Sequence, residues 1–148
     1  MKYRLLFLVL IINIFLISAQ EDDLANIKLT VTNYYDGYVE RDSVKLYAAF
    51  DADNGTMKVP VKNEDGQWLY ENRYFKEILP VWSNREKLTQ EVLSTCKLTI
   101  HSIEITHAKL GVAKMTMKVG NKIYYDVLSL QKMNKEWRIT NKMYVVLQ

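Results

Sequence analysis

Beyond residue 20, apolar side chains return at intervals of three and four: Leu24, Ile27, Val31, Tyr34 and Tyr38. That spacing predicts one stripe of a helix, which Tyr35 widens. Glu21, Asp22 and Asp23 fall at its expected start, where negative charge suits the helix dipole, and the polar Glu40-Arg41-Asp42 closes it. Asp42 is then placed to cap a second, short helix that turns Leu46, Ala49 and Phe50 inward. The turn cluster from Asp51 to Gly55 leads into a short strand, Thr56 to Val61, which Pro60 is expected to confine to an edge. Asn63-Glu64-Asp65-Gly66 returns the chain through Gln67 to Tyr70, a second extended piece. Asn72 is the expected cap of a third helix carrying Phe75, Ile78, Leu79 and Trp82, kinked or shortened by Pro80 and ending near Asn84.

From Leu93 onward the period changes to two, in four stretches separated by Thr106–Lys109, Gly120-Asn121 and Asn134-Lys135. This predicts an antiparallel meander. Ala113, Met115, Met117 and Val119 share one face of the second stretch, and Tyr124, Asp126, Leu128 and Leu130 share one face of the third. The last strand is expected to carry Trp137, Ile139, Met143 and Val145 inward. Helices first and long strands afterwards make a segregated α+β fold, its sheet wrapped over the helices. The opposite face of the third stretch is apolar too, through Ile123, Tyr125 and Val127. A sheet with one wet face has no need of that, so a covered outer face is expected, most simply a homodimer contact.

The first nineteen residues have the three-part form of a secretory leader: Lys2 and Arg4, then an apolar run from Leu5 to Ile17, then Ile17-Ser18-Ala19. The run is too short to cross about 30 Å of hydrocarbon at ~1.5 Å per residue. Cleavage is expected between Ala19 and Gln20, giving a secreted or periplasmic domain of residues 20–148. No cysteine sits at the cut, which argues against a lipid anchor. Removing Lys2 and Arg4 lowers the formal charge from +3 to about +1, so no basic patch points to nucleic acid. With 49% hydrophobic and 25% charged residues, 5 Gly and 2 Pro, the chain can bury an ordinary core. Cys96 stands alone, so that core has no internal disulfide to lean on.

The order of elements, with the segments Val31-Thr32-Asn33-Tyr34-Tyr35-Asp36-Gly37-Tyr38-Val39-Glu40-Arg41-Asp42, Ala49-Phe50-Asp51-Ala52-Asp53, Tyr124-Tyr125-Asp126-Val127-Leu128-Ser129-Leu130 and Glu136-Trp137-Arg138-Ile139-Thr140-Asn141-Lys142, resembles the nuclear-transport-factor-2-like superfamily. Within it the chain is most similar to the putative-lumazine-binding branch of small proteins, over almost all of residues 22–148. The resemblance implies a cone: a curved antiparallel sheet and three N-terminal helices enclosing a pocket that opens at the wide end. It settles no activity, because the superfamily holds isomerases, dehydratases, hydrolases and non-catalytic binding proteins. Ketosteroid isomerases of this superfamily use an aspartate base, a tyrosine and a protonated aspartate. Tyr34 falls at the tyrosine's position, Lys58 stands where the base would be, and Leu128 stands at the donor position near Asp126. Steroid isomerisation is therefore not expected. A dehydratase-like His–Asp pair would need His101 or His107 to meet Asp126.

Asp126 is the most informative residue, since its parity with Leu128 and Leu130 turns a carboxylate inward, where it must be paired or protonated. Its blander role is a paired carboxylate at the rim. Tyr34 is either a hydroxyl donor into the cavity or a core tyrosine. Trp68, Trp82, Trp137, Met115 and Met117 are candidates for an apolar wall or for plain packing. The ligand-contact set is accordingly Tyr34, Tyr38, Trp82, Met115 and Asp126, with no catalytic residue, metal or cofactor assigned. His101 and His107 lack metal-site spacing. Asn54-Gly55-Thr56 is a glycosylation sequon, usable only in a host that glycosylates exported proteins. The expectation is an exported small-molecule-binding domain that does not turn its ligand over. The rivals are a cofactor-free lyase or isomerase working through Asp126 and Tyr34, and a structural or adaptor module of the cell envelope.

Overall fold

In the computed structural model, the backbone is described over residues 2–147 and the side chains over residues 20–147. The leader expected at residues 1–19 lies outside the described side chains. Helix α1 spans Lys2–Glu40 and α2 spans Ser43–Ala49; strands β1 (Thr56–Lys62) and β2 (Trp68–Tyr74) form a hairpin; α3 (Phe75–Ser83) and α4 (Gln90–Thr95) precede β3 (Lys97–Thr106), β4 (Leu110–Val119), β5 (Lys122–Met133) and β6 (Glu136–Leu147). The strands make one six-stranded sheet in the order β2-β1-β6-β5-β4-β3. Among the described residues, no helix is long and apolar enough to cross a membrane.

The stripe Ile27, Val31, Tyr34 and Tyr38 is buried, and it packs on the inner faces of β4, β5 and β6 through Met115, Leu128, Leu130, Trp137 and Ile139. Asp42 does cap α2: its side chain accepts from Lys45 N at 3.1 Å. The β3–β4 and β5–β6 turns fall at His107-Ala108 and Asn134-Lys135, all four at positive φ between 51° and 72°. Positive φ at both central residues is what the two-residue β5–β6 hairpin requires, and the β3–β4 turn repeats it with Lys109 as a third loop residue.

Several local expectations need correction. α1 begins at Lys2, so Glu21, Asp22 and Asp23 lie inside it and not at its start. Asp23 has a different role: 2% exposed, it accepts from Lys132 Nζ at 2.5 Å and from Trp137 Nε1 at 2.9 Å. Burial works to raise the Asp23 pKa, but these two donors overcome it and leave the carboxyl below its usual value. Asn72 belongs to β2 and caps nothing, since α3 starts at Phe75 behind Tyr74 with no side-chain cap. Leu93 lies in α4, a fourth helix that the period-two reading passed over.

β1 is not an edge strand, for it lies between β2 and β6. Its ladder with β6 is parallel, which makes the sheet mixed, and it ends at Lys58↔Met143. Pro60 therefore falls where β6 has already diverged, and its missing donor interrupts no bond to that strand.

The correction with most consequence is in β6. The β5–β6 register passes from Ser129↔Asn141 to Leu130↔Ile139, leaving Thr140 as an extra residue. Such a bulge reverses which side chains face inward beyond it. Trp137 and Ile139 point inward as expected, but Met143 and Val145 are 47% and 46% exposed, and Lys142 is buried in their stead.

Candidate functional site

The bulge brings Lys142 onto the inner face one diagonal step from Asp126 on β5, whose direct partner is Tyr144. Across the core, the α1 stripe delivers Tyr34. Its hydroxyl donates to Asp126 Oδ2 at 2.8 Å, and Lys142 Nζ lies 2.5 Å from Asp126 Oδ1. Asp126 and Tyr34 are wholly buried and Lys142 is 2% exposed. Beyond the ion pair itself, neither Oδ1 nor Nζ has a hydrogen-bond partner among the described residues. The ammonium also faces the rings of Tyr144, 4.6 Å away, and Tyr34, 5.4 Å away.

This cluster closes the inner end of an open pocket of about 270 Å³. Tyr34, Tyr38, Trp82 and Met57 form one side of the pocket; Met117, Tyr124 and Tyr144 form the other. Arg85 and Lys122 stand at its rim and Lys142 at its floor. The rings pack edge-on: Tyr38 and Trp82 have centroids 5.2 Å apart at 82°, and Tyr38 and Tyr124 are 6.3 Å apart at 68°. Of the residues proposed from sequence, Tyr34, Tyr38 and Trp82 reach this wall. Asp126 stands behind it, sealed by Tyr34 and Lys142. Met115 is fully buried one pair further along β4 and does not line the pocket, whereas Met117 does.

The remaining candidates are dispersed. Trp137 is at the far end with Asp23, and Trp68 is 63% exposed on β2. On β1 the residue lining the pocket is Met57, while Lys58 lines a groove of about 390 Å³ on the other face of the sheet, with Tyr125, Val127 and Met143. His101 is on that outer face as well, stacked on Tyr125 with centroids 5.4 Å apart, and His107 is in a hairpin turn. Neither histidine can meet Asp126. Among the described residues, no three His, Cys, Asp or Glu side chains gather as a metal site would require.

The sequence-derived set lacked the pocket's cations, Arg85 and Lys122 at the rim and Lys142 at the floor, and nothing in the period-two pattern marks the bulge that turns Lys142 inward. Burial lowers its pKa, though the Asp126 charge pulls the other way. The phenols move oppositely. Burial, then the Asp126 charge, raises Tyr34 well above the usual value; burial and neighbouring charges also raise Tyr124 and Tyr144.

A pH dependence follows from these directions. A raised phenol keeps its proton longer in the folded chain than in the unfolded one, so its contribution is whole below the ordinary tyrosine value of 10.0 and is lost as pH rises through it. Lys142 acts oppositely as pH climbs toward 10.5, because the unfolded amine holds its proton more tightly. Tyr35 and Lys45 are raised as well, so four phenols and one amine that lose stability, against the single lowered amine of Lys142, predict a net loss above about pH 10, read as a falling urea midpoint. The fall should be smaller in a Tyr124→Phe/Tyr144→Phe variant. A midpoint that holds or rises contradicts the assignment.

Comparison with known proteins agrees with this fold. The family described as "Putative lumazine-binding" matches residues 22–145. No curated protein matches the chain. Among solved structures, an NTF2-like protein of unknown function from Shewanella baltica superposes with a TM-score of 0.68 at 17% identity, covering 86% of this chain and 95% of that one. A second, from Silicibacter pomeroyi, gives 0.68 at 13%, covering 86% and 98%. A ketosteroid isomerase-like protein from Erwinia carotovora atroseptica gives 0.56 at 15%, covering 85% and 97%. At such identities these neighbours are similar in fold alone. The match over residues 22–145 places the chain: it belongs to the "Putative lumazine-binding" family, and its fold is like that of the solved NTF2-like proteins.

Proposed function

We propose that the chain is an exported domain that binds a small aromatic molecule in the cone pocket and releases it unchanged. The observation that carries this is the contrast between an open, ring-lined pocket and the sealed carboxylate behind it. Asp126 is wholly buried, with one oxygen taken by Tyr34 and the other by Lys142. A general base must come within hydrogen-bond reach of the proton it removes, and this one is walled off from any ligand. The position that would supply a base from β1 is occupied on the pocket side by Met57. An acid–base enzyme working through Asp126 and Tyr34 would need that cluster to open. An adaptor with a filled interior would leave no space, yet about 270 Å³ remains, just under the ~300 Å³ at which ordinary ligand sites begin.

Export rests on the leader form of residues 1–19, with cleavage after Ala19. Dimerisation rests on the outer face, where Val112, Met143, Val145 and Leu147 are all more than a third exposed beside the groove lined by Tyr125 and Val127. An apolar sheet face of that kind suits a second copy across a two-fold axis.

Native mass spectrometry of the full chain expressed with its leader in a bacterial host tests these readings together. The expected species is a dimer of chains beginning at Gln20, carrying a small molecule that denaturation frees. A monomer, an intact leader, or a dimer empty after exposure to cell extract would overturn the dimer, export and binding readings respectively.

A further inference from the structure

The cations at the pocket mouth assign a chemical class to the ligand. Four arginines have described side chains. Arg73 pairs with Glu71 at 2.6 Å and Arg138 pairs with Glu136 at 2.5 Å, both on strand surfaces away from the mouth. Among the described residues, Arg41 and Arg85 pair with no carboxylate, and these two converge on one ring. The Arg41 guanidinium carbon lies 5.2 Å from the Tyr38 centroid and that of Arg85 lies 5.7 Å away.

Both are positioned by hydrogen bonds that leave donors over. Arg85 Nη1 donates to the Tyr38 hydroxyl at 2.8 Å. Arg41 donates to the Tyr38 and Glu86 carbonyls, and its backbone holds φ at 63°, the left-handed residue that ends α1 and that glycine usually fills. Lys122 adds a third cation at the rim. Among the described residues no carboxylate lines the pocket, and Asp126 is already neutralised by Lys142 behind the wall. Two guanidinium groups over one ring, with no carboxylate partner among the described residues, make the mouth positive, and their planar donor forks match a carboxylate.

We propose that the pocket takes a flat aromatic acid, its ring among Tyr38, Trp82, Tyr124 and Tyr144 and its carboxylate at the mouth against Arg85, with Arg41 and Lys122 completing the positive rim. At ~30 Å³ per water, about 270 Å³ is room for one or two fused rings. This rests on the small-molecule reading above and narrows it.

The test compares a matched pair of probes, 2-naphthoate and its neutral amide 2-naphthamide, by isothermal titration on the full chain. The expected result is binding of naphthoate at least tenfold tighter than of naphthamide. Arg85→Gln should remove most of that preference, weakening naphthoate far more than naphthamide. Arg73→Gln, which deletes the same charge from a remote surface, should keep it, and both variants should melt like the parent. Equal affinity for the two probes would overturn the anion assignment and leave small-molecule binding intact. A preference that survives Arg85→Gln would overturn the role of the mouth. Failure of both probes to bind would overturn this inference, and native spectra free of any ligand would then remove the broader reading too.

Discussion

Lys142→Met is expected to destabilise the fold by about 3–5 kcal/mol, the cost of leaving one partner of a buried ion pair without the other. The substitution keeps the length of the side chain and, among the described residues, removes the only cation beside Asp126 Oδ1, which has no other partner there. The carboxylate then either stays charged in an apolar interior or takes up a proton, and both cost free energy. The signature is in the double variant. Asp126→Asn/Lys142→Met keeps an acceptor for the Tyr34 hydroxyl and removes both charges, so it should recover part of the loss. The coupling expected between two contacting groups is ~0.5–3 kcal/mol. Urea unfolding of the two single variants and the double variant measures it. A Lys142→Met cost below about 1 kcal/mol, or strictly additive effects, would mean that the pair does not hold the floor of the pocket.

Trp137→Ala is the second large effect, at the opposite end of the core. Trp137 is 2% exposed, its indole N–H meets Asp23, and its carbonyl accepts from the Thr30 hydroxyl at 3.1 Å. These contacts tie α1 to the start of β6. Truncating a buried tryptophan costs about 3–5 kcal/mol through lost burial and the cavity left behind. Loss of a donor to the buried Asp23 adds to this, although Lys132 still reaches the same oxygen. Trp137→Phe separates the two contributions: it fills most of the volume and should cost only about 1–3 kcal/mol, the penalty for a buried polar group short of a partner. Thermal and urea unfolding of both variants give the ranking. Equal losses would place the whole effect in the hydrogen bond.

These two residues also show what could be read from the chain alone. Trp137 was expected on the inner face because the alternation Trp137, Ile139 is unbroken in the residues themselves. Asp126 was expected there for the same reason, as were Tyr34 on the helical stripe and the turns at Thr106–Lys109 and Asn134-Lys135. Lys142 was not, because a single extra residue at Thr140 reverses parity, and a bulge between Ile139 and Asn141 has no glycine or proline to announce it. The parallel ladder of β1 with β6 was hidden for a related reason: it joins segments more than eighty residues apart over three pairs, and local pattern carries no information on such a contact. Asp23 looked like a helix-start charge because its partners Lys132 and Trp137 lie over a hundred residues away. Periodicity thus placed most of the walls, while the charge balance behind them depended on long-range registry.

The three tryptophans provide the most direct test of the central claim that this pocket, rather than the outer face, is the binding site. Trp82 lines it, Trp68 lines a groove of about 440 Å³ beside Pro60 at the far edge of the sheet, and Trp137 is buried away from both. Adding 2-naphthoate while recording the indole N–H resonances of the full chain by NMR should move the Trp82 signal first and most, with Trp68 and Trp137 nearly still. Movement of Trp68 with Trp82 unmoved would place the ligand on the outer groove and contradict the account.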